Sequence, residues 1–140
     1  MAITQSMCTS FKLQILSGVH DFSTHTFRMA LYTDAANIGS ATTAYTASGE
    51  VVGSGYTAGG AALVALAPSV DVTTAVVSFE DVSWPASTFT VRGALIYNDT
   101  AVGNPAVAVL DFGVDKTVSG QTLTVRFPPA TAATAIVRIA

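Results

Sequence analysis

His20, Asp21 and His25 are the one cluster in the chain whose side chains could ligate a transition metal. A zinc site needs three or four N, S or O donors converging at about 2 Å. The spacing here suits no ordinary site, and no further histidine and no second cysteine exists to complete one. The residues are therefore expected to form a polar loop whose two histidines contact neighbours. Asp111 and Asp115 flank Phe112-Gly113-Val114. Paired carboxylates can serve acid-base chemistry or hold calcium, but glycosidase carboxylates need a sugar cleft, and calcium wants six to eight oxygens. Acidic residues at a strand end and turn are the expectation. The Asp111-Phe112-Gly113 triplet lacks every companion of the kinase motif. Gly53 to Gly60, GSGYTAGG, has glycines without the order, the preceding parallel strand or the following helix of a phosphate-cradling loop. No serine stands in a G-x-S-x-G elbow, so a Ser-His-acid triad has no support. Asn98-Asp99-Thr100 matches a glycosylation pattern formally and reads as a turn. Cys8, the single cysteine, has no internal disulfide partner and reads as a small packed hydrophobe. No catalytic, cofactor-binding or metal site is expected, and no cofactor.

The arginines say more. Arg28, Arg92, Arg126 and Arg138 fall inside expected strands, on the face opposite Phe27, Met29, Val91 and Val125. A guanidinium suits ion pairs and protein interfaces better than an ammonium does, and only two lysines, Lys12 and Lys116, are present. Either these arginines meet another protein or they solvate the outer faces. Candidate interface residues are Met1, Ile3 and Gln5 in the N-terminal segment, His20 and His25, and Arg28, Arg92, Arg126 and Arg138. The Gly-rich stretch Ala35 to Gly60, long and light in core residues, joins them.

One short helix precedes the elements that would position these side chains. Met7, Phe11, Ile15 and Val19 recur every four residues, which predicts a helix over Thr9 to Ser17, capped by Ser6, Thr9 or Ser10 and ended by Gly18. Alternation in TFRMALYT predicts the first strand, with Phe27, Met29 and Leu31 inward. A short strand is expected near Glu50 to Val52. Further strands are expected over Ala61 to Leu66, Thr74 to Phe79, Thr88 to Tyr97, Ala106 to Phe112, Thr122 to Phe127 and Thr134 to Ile139. Pro68, Trp84-Pro85, Asn98-Asp99, Gly103-Asn104-Pro105, Ser119-Gly120 and Pro128-Pro129 punctuate them. Val118-Ser119-Gly120-Gln121 reads as a tight hairpin between Asp115 to Thr117 and Thr122 to Phe127. The sum is an all-β, antiparallel β-sandwich, jelly-roll or immunoglobulin-like, with one short N-terminal α-helix. It forms a single domain over residues 1–140, with the N-terminal segment and helix in 1–19 and the strands in 26–140.

Composition excludes several classes. Of 140 residues, 11% are charged and 50% hydrophobic, against about 25% charged in ordinary domains. Disorder needs the opposite balance. No apolar run approaches the roughly 20 residues of a membrane span. A pI near 5.0 and the absence of a basic cluster argue against nucleic acid and against an acidic membrane surface. The start of the chain has neither a basic n-region nor a clean apolar h-region, so no secretory signal is read and folding in a cytoplasm is expected.

Five strings, MAITQSMCTSFKLQILSGVHDF, TFRMALYTDAA, EVVGSGYTAGG, RGALIYND and AVAVLDFGVDK, run in that order across nearly the whole chain. Individually unspecific, together they resemble small structural proteins of tailed bacteriophages. The resemblance implies a non-enzymatic virion protein made in the host cytoplasm. Foremost it implies a capsid decoration or cement subunit, otherwise a tail, baseplate or fibre component. It implies as partners other virion proteins, the major capsid protein or tail proteins, and a homo-oligomer in a symmetric assembly. No functional residue carries over from it. A carbohydrate-binding module is the alternative from another class, with Trp84, Tyr45, Tyr56 and Tyr97 as a platform, unless Trp84 plugs the core. A small enzyme has no motif in its favour.

Overall fold

The computed structural model describes residues 2–140. Its β-branched and aromatic runs form two antiparallel sheets. The larger has the order β1 (Ser6–Met7), β7 (Ala106–Val125), β6 (Val82–Asn98), β2 (Phe27–Tyr32), β3 (Ala61–Ala62). The smaller has the order β4 (Ser69–Asp71), β5 (Thr74–Val77), β8 (Val137–Ile139). A single helix, α1 (Thr9–Leu16), lies before the first long strand. The fold is an all-β antiparallel sandwich with a short N-terminal helix.

Six consecutive pairs join β2 to β6, from Phe27 opposite Asn98 to Tyr32 opposite Gly93. Strand alternation puts Phe27, Met29 and Leu31 with Ile96 and Ala94 on one face, and Arg28, Ala30 and Tyr32 with Tyr97 and Leu95 on the other. The first face meets the α1–β2 connection and the smaller sheet. There Phe22 stacks on Phe27 at 4.4 Å between ring centroids, and Phe79 lies 6.1 Å from Phe27. Ala30 and Tyr32, expected outside, are fully buried. The excursion between β2 and β3 causes this, because its small side chains let it fold down onto the second face, where Tyr45 packs on Tyr97 at 4.9 Å. Gly60 makes the closest approach: its φ is +82°, and a Cβ there would sit 1.8 Å from the Met29 carbonyl oxygen.

Several elements differ from their sequence expectations. The helix ends at Leu16, and its N-cap is Cys8, with no side-chain capping bond. Of its apolar residues only Phe11 is buried, while Leu13 and Leu16 are exposed. Glu50 forms an isolated bridge to Tyr32 instead of a strand. The Ala61 to Leu66 stretch changes sheets: Ala61 and Ala62 pair with β2, while Ala65 bridges Phe79 beyond the end of β5. β4 went unread because its three residues carry no pattern; it pairs with β5 across a turn in which Val72 has φ 59°.

The largest correction concerns β6 and β7. Trp84-Pro85 does not separate strands; it lies within the 17-residue β6, at a shift where one β6 residue is extra between Trp84 and Ser87. Val118 to Gln121 is no hairpin but part of the 20-residue β7, with Gly120 as an extra residue between the partners of Ser87 and Thr88. A third irregularity sets Val91 against Lys116 and Gly93 against Asp111, so Phe112 to Asp115 bulge outward. Bulges bend a strand without ending it, and from sequence alone such glycines look like turns. No helix among the described residues is long and apolar enough to cross a membrane.

Candidate functional site

Three polar constellations and one open edge are the places where chemistry or recognition could reside. In the first, all four tyrosines of the chain converge near Glu50, which the Tyr32 bridge holds under the excursion. Tyr45 Oη donates to Glu50 Oε1 at 2.6 Å, and Tyr56 Oη and the Gly59 N–H donate to Oε2, the latter at 2.8 Å. Tyr56 Oη in turn accepts from the Leu31 N–H at 3.0 Å. Tyr97 Oη donates to the Gly59 carbonyl at 2.6 Å, and Tyr32 Oη to that of Thr46 at 2.6 Å. Burial first, then the hydrogen bond to Glu50, raises the Tyr45 phenol to about 12 and pushes Tyr56 higher still. Phenols held this firmly in the neutral form are donors that pin a buried carboxylate, and they are poor bases at neutral pH. Both carboxylate oxygens have donors, so the cluster fastens the excursion to the sheet.

His20, His25 and Asn98 form the second constellation, at the end of β6. Asn98 Nδ2 lies 3.1 Å from His20 Nδ1 and 2.9 Å from His25 Nδ1, and His20 Nε2 lies 2.9 Å from Gln14 Oε1. His20 is buried, and burial first, then the charge of His25, lowers it to about 4. The Asp21 carboxylate accepts from the Ser23 N–H and the Thr24 hydroxyl. The third is the ion triplet of Arg92, 3.8 Å from Asp111 and 3.4 Å from Asp115. It closes the base of the β7 bulge, and its partly exposed groups make it worth little to stability. No group of three or more His, Cys, Asp or Glu that could hold a metal ion occurs among the described residues.

Of the expected interface residues, Met1 lies outside the described residues. Ile3 is half-buried, bridging Ile38, and the exposed Gln5 accepts the Asp111 N–H at its Oε1. His20 is interior and held by partners within the chain, whereas His25 is half-buried. Arg28 is half-buried and donates to the carbonyls of Gly59 and Gly60, at 3.4 and 2.6 Å. Arg138 is exposed and donates to the Ala132 and Ala133 carbonyls. Arg126 is exposed and lines a groove of about 240 Å³ with Phe112, Lys116, Leu123, Thr124 and Val125. The Ala35 to Gly60 excursion is part of the interior, since it buries Ala36, Ile38, Glu50 and Val51. Trp84 is buried beside Tyr56, so the four rings present no common outward platform.

The open edge is on β7. β1 pairs with it only at Ala108 and Val109, and no strand lies outside it from Phe112 to Val125 among the described residues. Sequence reasoning missed this edge by dividing β7 at Gly113 and Gly120. No family model matches the chain, and comparison with curated proteins and with solved structures finds no significant match to either.

Proposed function

We propose that the chain is a non-enzymatic structural protein of a tailed-bacteriophage virion, a capsid decoration or cement subunit that binds the shell and stabilises it by burying surface. One observation carries the reading beyond the resemblance: the free edge of β7. Thr117 to Thr124 runs as TVSGQTLT, without a charge or a proline, and six of these eight residues are exposed. Monomeric β proteins protect such edges with lysines, prolines, bulges or a covering element, because the unpaired N–H and C=O groups recruit further strands; here, among the described residues, the extra residue Gly120 is the one such device. An edge left open suits a subunit that functions covered by another chain. The low charge of the whole surface points the same way, since sparse charge favours association over dispersal. The polar clusters fit this reading too, because each binds parts of this chain to one another.

The test is binding to particles. Purified protein added to particles lacking it is expected to saturate at a copy number set by the shell lattice, and to raise the temperature at which the shell opens. Ser119→Lys with Gln121→Lys, both exposed on the open strand, should abolish binding while leaving the monomer folded. Failure of the unmodified protein to bind, or binding confined to tails, would overturn the decoration reading; undiminished binding by the folded double variant would remove β7 from it.

A further inference from the structure

The connection between α1 and β2, residues 17–26, is closed onto the end of β6 by one carboxamide. Asn98 is fully buried, and its Oδ1 accepts from the backbone N–H groups of Thr100 and Ala101 at 2.9 and 3.0 Å. Backbone N–H groups can only donate, so the other pole of the amide is the NH₂ group. That group has two protons and meets two imidazole nitrogens, His20 Nδ1 and His25 Nδ1. Both nitrogens must therefore offer lone pairs. His25 Nδ1 also faces the Asp21 N–H at 3.3 Å, again as acceptor. Each ring then carries its proton on Nε2, which for His20 donates to Gln14 Oε1. The pattern is complete only while both rings are neutral.

We propose that His20, His25 and Asn98 form an acid-released latch: a proton on Nδ1 of either ring turns an acceptor into a donor facing the Asn98 NH₂, and the connection detaches from β6. His25 is half-exposed, so protons reach it without unfolding. The groups around the rings are few. The connection supplies Asp21, whose carboxyl is lowered chiefly by its hydrogen bonds to Ser23 and Thr24 and less by His25, and His25 also disfavours charge on His20. The β6 end supplies exposed Asp99, α1 supplies neutral Gln14 and Phe11 with Lys12 on its exposed side, and β2 supplies Phe27. Buried Asn98 can neither turn over nor reach water while its oxygen stays bound, so the donor clash is relieved on the side of the rings and the connection that carries them. What the latch holds is visible in three bonds from backbone N–H groups: His25 N–H to the Asp21 carbonyl within the connection, and, between it and the β6 end, Thr26 N–H to Thr100 Oγ1 and Asp99 N–H to the Thr26 carbonyl. Release also lifts Phe22 from Phe27 and uncovers apolar surface beside Ile15 and Val137.

Hydrogen exchange of the full chain, corrected for intrinsic rates and followed from about pH 7.5 to 4, tests this. Protection at His25, Thr26 and Asp99 is expected to fall about tenfold or more, the loss of one buried hydrogen bond, while the β2–β6 ladder holds. Nitrogen shifts of both imidazoles at neutral pH should report the Nε2–H tautomer. Asn98→Asp offers a carboxylate oxygen where the NH₂ stood, so acid should tighten the connection instead of freeing it. His25→Gln keeps an acceptor that cannot titrate and should weaken the acid response. An Nδ1–H tautomer in either ring overturns the proposal, as does loss of protection only together with the ladder. An acid response in either folded variant equal to that of the unmodified protein overturns it too.

Discussion

Glu50→Ala removes one acceptor from three donors at once. Tyr45 is half-exposed and can turn its hydroxyl to water, whereas Tyr56 Oη and the Gly59 N–H are left facing an apolar gap. Each orphaned donor costs ~1–3 kcal/mol, so with two of them the expected loss is about 2–6 kcal/mol. Against a total stability of ~5–15 kcal/mol for a domain, that is a large fraction. Glu50→Gln should cost far less, about 1 kcal/mol: its oxygen can take the Oε2 position and serve Tyr56 and Gly59, while its NH₂ donates to Tyr45, whose hydroxyl can accept. Tyr56→Phe falls between, because it orphans the Leu31 N–H as well as one carboxylate lone pair. Urea unfolding monitored by Trp84 fluorescence and by circular dichroism gives the differences from midpoint and slope. The expected order of loss is Glu50→Ala, then Tyr56→Phe, then Glu50→Gln. A loss below ~1 kcal/mol for Glu50→Ala would mean that the cluster does not fasten the excursion; equal losses for Ala and Gln would mean that donor matching is irrelevant there.

Gly60→Ala forces a Cβ against the Met29 carbonyl at a φ that L-residues avoid, and should cost ~2 kcal/mol or more in the same assay. Stability should also fall in acid: His20 is lowered from 6.5 to about 4, so the unfolded chain binds the proton more tightly. Its contribution is complete above pH 6.5 and is lost as pH falls toward 4. At ~1.36 kcal/mol per pH unit the gap is worth about 3 kcal/mol, readable from urea midpoints across that range. In alkali the sign reverses. Tyr45 is raised from 10.0 to about 12, so stability should hold below pH 10 and decline as pH rises through 12, with phenolate absorbance appearing in step with unfolding.

How much was legible in the sequence depended on what each residue answered to. Phe27, Met29 and Leu31 revealed their strand because alternation is local, and the strand positions of Ile96 and Val109 followed in the same way. The burial of Ala30 and Tyr32 was not legible, since it depends on a distant Gly-rich excursion folding back rather than looping away. Gly120 and Trp84-Pro85 misled for a related reason: a bulge and a turn use the same residues, and only the partner strand tells them apart. Of the candidate sites, the loop bearing His20 and His25 was visible, but the partner that gives it meaning, Asn98, lies 73 residues beyond His25. Glu50 carried no signal beyond being an acid beside valines. The four tyrosines could have been noticed as a set, because a chain with few charges that retains Glu50 amid Tyr45 and Tyr56 is supplying donors for it.

As proposed, this chain acts by covering a virion surface with its open edge. Electron cryomicroscopy of purified particles tests it most directly. Density for this fold is expected at symmetric positions on the capsid shell, with the β7 edge from Thr117 to Thr124 buried against a neighbouring chain. Particles whose shells carry no such density, or density in which that edge faces solvent, would contradict it.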